Sequence, residues 1–208
     1  MIETKRSEKK AALILATIAA VEGIFVVINF IGNGSRFMAY LGFGSENSAP
    51  LLGWILALIV AAVFVVLSLR LPSVRANLVR PSALKAIAVV LAVFAGILEE
   101  MVFRKLLMDF LAAKDLIIIL QILISGLVFG IAHGVWGLFG GSIRAALGAT
   151  LATGVLGAAL AVVYIASGRN LAPCIAAHFL INLLIEPGLV LAAVRGEMGS
   201  TSHDFAKS

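Results

Sequence analysis

Six long apolar runs divide the chain, at roughly 11–31, 50–71, 82–113, 116–135, 142–166 and 171–194. Each meets or approaches the ~20 residues a helix needs to cross a hydrocarbon core of about 30 Å. A backbone in that solvent must satisfy its own hydrogen bonds, which restricts such runs to helices. The expected fold is therefore all-α: a polytopic membrane helix bundle of about six transmembrane helices, with residues 1–208 forming a single membrane domain. Composition agrees, because 62% of residues are hydrophobic and only 13% charged, where a soluble domain carries about 25%. The formal net charge of +5 does not indicate nucleic acid. The cations sit at the ends of apolar runs, where they set topology, and no basic stretch is interleaved with aromatics. Cys174 is the single cysteine; it excludes an intramolecular disulfide and any cysteine-based metal cluster.

The connecting segments carry turn chemistry. Residues 1–10 are polar, and the run after them is too long for the apolar region of a signal peptide, which spans about 7–15 residues; a retained first helix is expected. Residues 32–49 are rich in Gly, Ser and Asn and read as a loop, 72–81 as a linker between two prolines, and Ser82 as the N-cap of the third helix. Lys114-Asp115, the glycine-rich link 137–141 and 167–170 mark further turns, and Pro187-Gly188 predicts a kink or break in the last helix. Six crossings put both termini on one side. Lys5, Arg6, Lys9, Lys10, Arg70, Arg75, Arg80 and Lys85 argue that this side is cytoplasmic, and the plain layout is that of a prokaryotic plasma-membrane protein. The small residues Gly148, Ala149, Gly154, Gly157, Ala158 and Ala159 suit close packing between helices.

Against this background the ionisable residues inside the runs need a reason, since each costs a few kcal/mol to place in hydrocarbon, about 2.5–3.5 on insertion scales. Glu99 and Glu100 lie in the third run with Arg104 and Lys105 just after them, His133 lies in the fourth, His178 and Asn182 in the sixth, and Glu22 in the first. Glu100 and Arg104 are four apart and placed to pair on one helix face, leaving Glu99 for chemistry. Glu99 precedes Lys114 by 15 residues and His133 follows Asp115 by 18, about 23 and 27 Å from a shared turn, so antiparallel neighbours hold them at similar depth. His178 lies only eight residues past Asn170, about 12 Å. It reaches the same depth if the third and fourth helices project beyond the others near Lys114. Taken singly, these groups read as an interfacial helix end, a core histidine and polar glue between helices. Taken together, they are a set of acid–base, metal-binding or oxyanion groups on three helices. No chain-local zinc motif is present, so a metal would have to be held across helices.

At these residues the chain resembles the CPBP family of intramembrane proteases, which contains CAAX prenyl endopeptidases and bacteriocin-processing or self-immunity proteins. The family's EExxxR, FxxxH and HxxxN motifs read here as Glu99-Glu100-Met-Val-Phe-Arg104, Phe129-Gly-Ile-Ala-His133 and His178-Phe-Leu-Ile-Asn182, intact and in order. The resemblance covers about 83–194, the expected catalytic core. It implies hydrolysis of a peptide bond in a membrane-associated substrate, prenylated CAAX-type substrates included. Glu99 would activate water, His133 would hold it, His178 and Asn182 would stabilise the oxyanion, and Glu100, Arg104 and Phe129 would support them. It leaves two mechanisms open, one with no cofactor and one with Zn2+ held by Glu99, His133 and His178. The direct glutamate mechanism is the preferred expectation. The alternative to an enzyme is a non-catalytic membrane partner or self-immunity protein using the same cluster. An ion-coupled transporter is a third reading, weakened by the absence of paired repeats.

Overall fold

In a computed structural model, residues 2–44, 48–135 and 143–198 are described, with side chains from residue 5 onward. The glycine-rich link 137–141 lies outside them. The described chain is helical: α1 (Ile2–Asn33), α2 (Ser35–Tyr40), α3 (Leu51–Ser68), α4 (Pro72–Asn77), α5 (Ala83–Glu100), a π-helical turn (Met101–Leu106) continuing into α6 (Leu107–Ala112), α7 (Ile118–His133), α8 (Ile143–Ala166) and α9 (Ala172–Val194). Five of these segments are long and apolar enough to cross a membrane: Lys5–Asn33, Leu51–Ser68, Ala83–Ala112, Ile143–Ala166 and Ala172–Val194. α7 is equally apolar but has 16 residues, about 24 Å. The helices' outer faces are lined by exposed Leu, Ile, Val and Phe, among them Ile28, Leu58, Leu123, Ile131 and Leu151. The molecule is an integral membrane protein.

α9 is the hub. Over its most apolar window 56% is buried, against a third or less in the other spans, and it packs against α1, α3, α4, α5 and α8. Of the kink or break expected at Pro187, the break does not occur: α9 continues through it as one helix. Proline removes the N–H that would have reached the Leu183 carbonyl. The Lys85 ammonium from α5 takes that place, donating to the Leu183 carbonyl and also to Leu184 O at 3.3 Å and Leu78 O at 2.8 Å. Gly188 lets the backbone of α4 approach, since a Cβ there would collide with Val74 and the Ser73 carbonyl. A second correction concerns the start. The first helix begins at Ile2 rather than near residue 11, so the polar residues 2–10 extend it beyond the apolar run.

α7 and α8 form the closest helix pair. Gly126, Gly130 and Gly134, one turn apart on α7, face Thr150, Gly154 and Ala158 on α8; a Cβ on Gly126 would lie 2.8 Å from the Gly154 carbonyl. Small residues let the two backbones touch. Packing is thus the role of Gly154, Gly157 and Ala158, whereas Gly148 and Ala149 line a cavity. Ser82 caps α5 as expected, accepting from the Lys85 backbone N–H at 3.1 Å.

The end of the bundle distant from the termini is fastened by a polar clamp. Asp109 on α6 accepts from Arg169 Nη1 at 2.6 Å and Tyr164 OH at 3.1 Å, and pairs with Lys105 at 3.3 Å. Arg169 Nη2 donates to Gln121 Oε1 at 2.6 Å, and Gln121 Nε2 to the Leu116 carbonyl at 2.6 Å. Arg169 itself has φ 61°, a cost for a non-glycine residue that these bonds offset. The clamp sets the depth relation. The turn before α9 meets α6 at Asp109, not at Lys114, so residues 110–116 project past it, as the position of His178 requires.

Candidate active site

The groups that the sequence scatters over 84 positions, Glu99 to Asn182, converge inside the bundle. Glu99 Oε2 lies 3.3 Å from His133 Nε2 and 3.8 Å from His178 Nε2. Each imidazole is fixed from behind. His133 Nδ1 is 2.9 Å from the Phe129 carbonyl, one turn earlier on α7, and His178 Nδ1 is 2.7 Å from Glu100 Oε1. A carbonyl can only accept, so His133 carries its proton on Nδ1; the Glu100 carboxylate imposes the same tautomer on His178. Each Nε2 is thereby aimed at the Glu99 carboxylate: a ring that holds a second proton donates it there, as the 3.3 Å contact of His133 allows, and a neutral ring presents a lone pair. With both rings neutral, the three acceptors need a proton or a water between them.

Glu100 and Arg104 are the pair the spacing predicts. Arg104 Nε lies 3.0 Å from Glu100 Oε2, and both side chains are fully buried. Arg104 Nη2 also donates to the Gly157 carbonyl of α8 at 3.1 Å, and its guanidinium sits 4.7 Å over the Phe129 ring. Phe129 is the common wall. It stacks on His133 at 4.2 Å, meets Phe103 edge-on at 5.0 Å and stands 5.9 Å from His178. Its place in the FxxxH spacing follows from stacking at i,i+4 on one helix face.

The π-helical turn Met101–Leu106 begins directly after the two glutamates. Such turns recur at functional sites. Here Ser125 Oγ on α7 donates to the Phe103 carbonyl at 2.9 Å, tying the turn to the helix that carries His133. No propensity in MVFRKL announces this irregularity.

Glu99, His133, His178 and Asn182 open onto a chamber of about 530 Å³ whose walls come from α1, α3, α5, α7, α8 and α9 and are mostly apolar. Asn182 stands one turn along α9 from His178, and Glu186 one turn further, on the same strip. Glu186 was not evident from motifs, although its i+4 and i+8 spacing to Asn182 and His178 is a usable signal. Glu22, unassigned by sequence, faces the bundle. It lies within electrostatic reach of Glu99, Glu186 and His133, and its Oε2 is buried with no hydrogen-bond partner among the described residues. Cys174 is buried, its thiol 3.4 Å from the Leu160 carbonyl, in keeping with an inert core thiol. Glu99, His133 and His178 have the donor chemistry of a zinc site. Among the described residues, however, no three His, Cys, Asp or Glu side chains are grouped as a metal cage.

A membrane helix bundle enclosing a carboxylate, two back-anchored imidazoles and an amide is an architecture suited to acid–base hydrolysis within the bilayer. The family description "type II CAAX prenyl endopeptidase Rce1-like" matches residues 81–184, half of the 208-residue chain, and the chain belongs to this family. The match spans Glu99 through Asn182 and stops before Glu186. Membership makes the protein an intramembrane protease of CAAX endopeptidase type in general terms, acting on membrane-associated substrates. No curated protein and no solved structure matches the chain.

Proposed function

We propose that the protein hydrolyses a peptide bond of a prenylated, CAAX-type substrate with a water activated by Glu99. The observation that carries the proposal is the convergence of His133 Nε2 and His178 Nε2 on Glu99 Oε2 at the wall of an apolar chamber. Glu99 accepts a proton from water as the water oxygen attacks the carbonyl carbon. The proton passes to the leaving nitrogen as the C–N bond breaks, giving a carboxylate and an amine. His133 Nε2 accepts a hydrogen bond from the same water and so orients it. The oxyanion lies against Asn182, whose amide donates without carrying charge, and against His178 Nε2 when that ring holds two protons. Oriented donors of this kind supply a large share of such catalysis. Glu100 positions His178, and Arg104 positions Glu100.

The end of the bundle bearing both described termini is assigned to the cytoplasmic face on the basis of Lys5, Arg6, Lys9, Lys10, Arg70, Arg75 and Arg80.

The test is cleavage of a prenylated CAAX reporter peptide by purified wild type and Glu99→Gln, each with and without chelator. Cleavage by wild type alone, unaffected by chelator, is the expected result. Equal cleavage by Glu99→Gln would remove Glu99 as base, and loss of wild-type activity on chelation would transfer water activation to a metal held by the same three residues.

A further inference from the structure

Among the described residues lining the chamber, Arg144 is the one permanent cation. It belongs to none of the three motifs and falls on α8, whose close packing against α7 fixes its depth. Gly134, the residue after His133, faces Thr150 across that contact, and Arg144 lies six residues before Thr150. Along the helix this is about 9 Å from the level of His133. On the opposite side, α9 leads away from His178 in the same direction through Asn182, Ile185, Glu186 and Leu189. The chamber thus runs from the Glu99 cluster to Arg144, with Ala145, Gly148, Ala149, Ile181 and Ile185 as apolar walls along that stretch.

From this geometry we infer that Arg144 is a specificity-determining residue that binds the free C-terminal carboxylate of the substrate. The inference rests on the endopeptidase reading above. A CAAX sequence ends three residues after its cysteine, and three extended residues span about 10 Å. A peptide whose bond after the cysteine lies at Glu99 therefore brings its terminal carboxylate to the level of Arg144. Its two aliphatic side chains then lie against the apolar walls. An arginine fork matches a carboxylate in geometry and charge. A cation placed only to set membrane topology would make no distinction between substrates.

The experiment uses the full chain in lipid vesicles and two prenylated reporter peptides of one sequence, one ending in a free acid and the other in a carboxamide. Wild type should prefer the acid by about ten- to a hundred-fold in kcat/KM, mainly through KM, as expected for a charge-assisted hydrogen-bonded pair. In Arg144→Gln the acid-to-amide ratio should fall to near one, with Arg144→Lys in between. The inference is overturned if wild type cleaves both peptides equally, or if Arg144→Gln keeps the wild-type ratio, including the case in which both rates fall together. Cleavage of neither peptide by wild type would instead reject the endopeptidase reading, and this inference with it.

Discussion

Two polar clusters are built into this bundle, and they are assembled on opposite principles. In the clamp at the distal end, one carboxylate, Asp109, meets two cations and a phenol, and Arg169 spends its second nitrogen on Gln121. Donors face acceptors, and Asp109 is 36% exposed. In the chamber, Glu99 faces two imidazole nitrogens, His133 Nε2 at 3.3 Å and His178 Nε2 at 3.8 Å, with Glu22 and Glu186 within electrostatic reach. The clamp is what polar residues look like when they only hold helices together. The chamber cluster turns its titratable groups inward, toward the space they enclose.

Substitutions can break that contrast or sharpen it. The largest effect is expected from Glu99→Gln, which should lower the single-turnover cleavage rate by about 10²–10⁴-fold, the usual contribution of a general base, in a protein that remains folded and inserted. A loss of folding instead would make Glu99 a structural residue like Asp109. Next comes Arg104→Met, which leaves Glu100 buried without its cation. Breaking one side of a buried pair costs about 3–5 kcal/mol, read as a fall in thermal unfolding midpoint. Pairing it with Glu100→Leu should recover most of that stability but not activity, because His178 has then lost the acceptor on its Nδ1. Gly130→Ala should cost about 1–3 kcal/mol by overpacking, since a Cβ there would lie 2.9 Å from the Gly154 Cα, and kcat should fall as His133 is displaced. Asp109→Asn is the smallest, about 1 kcal/mol or less for a partly exposed pair, diminishing in high salt, with turnover within a few-fold of wild type. A larger loss of turnover than of stability in that variant would erase the distinction between the two clusters.

Much of this is legible in the amino-acid sequence. The apolar runs gave the class, and i,i+4 spacing placed Glu100 on Arg104 and Phe129 on His133. Residue spacing from the turns places Glu99 and His133 at similar depth, and His178 with them on condition that the third and fourth helices project near Lys114. What escaped was of two kinds. Glu186 and Arg144 lie in no motif, and their relevance comes from which wall of a cavity they share, a tertiary fact. The intact helix at Pro187 depends on a lysine about a hundred positions away supplying the donor that proline lacks. A local reading of Pro-Gly sees the missing bond but not its replacement.

The π-helical turn has a consequence that joins the two clusters. It can be viewed as a single inserted codon. An α-helix advances about 100° per residue, so one extra residue between Glu100 and Leu107 rotates everything after it by about that angle. Glu99 and Glu100 are thereby set to the phase of the chamber, while Met108, Asp109 and Leu111 are set to the phase of the core and the clamp. Removing one residue from 101–106 would restore an unbroken α-helical register and force a choice, leaving either the glutamates or Asp109 turned away from their partners. The irregular turn is thus a phase shifter that lets one membrane helix serve two environments that its regular period could not satisfy together.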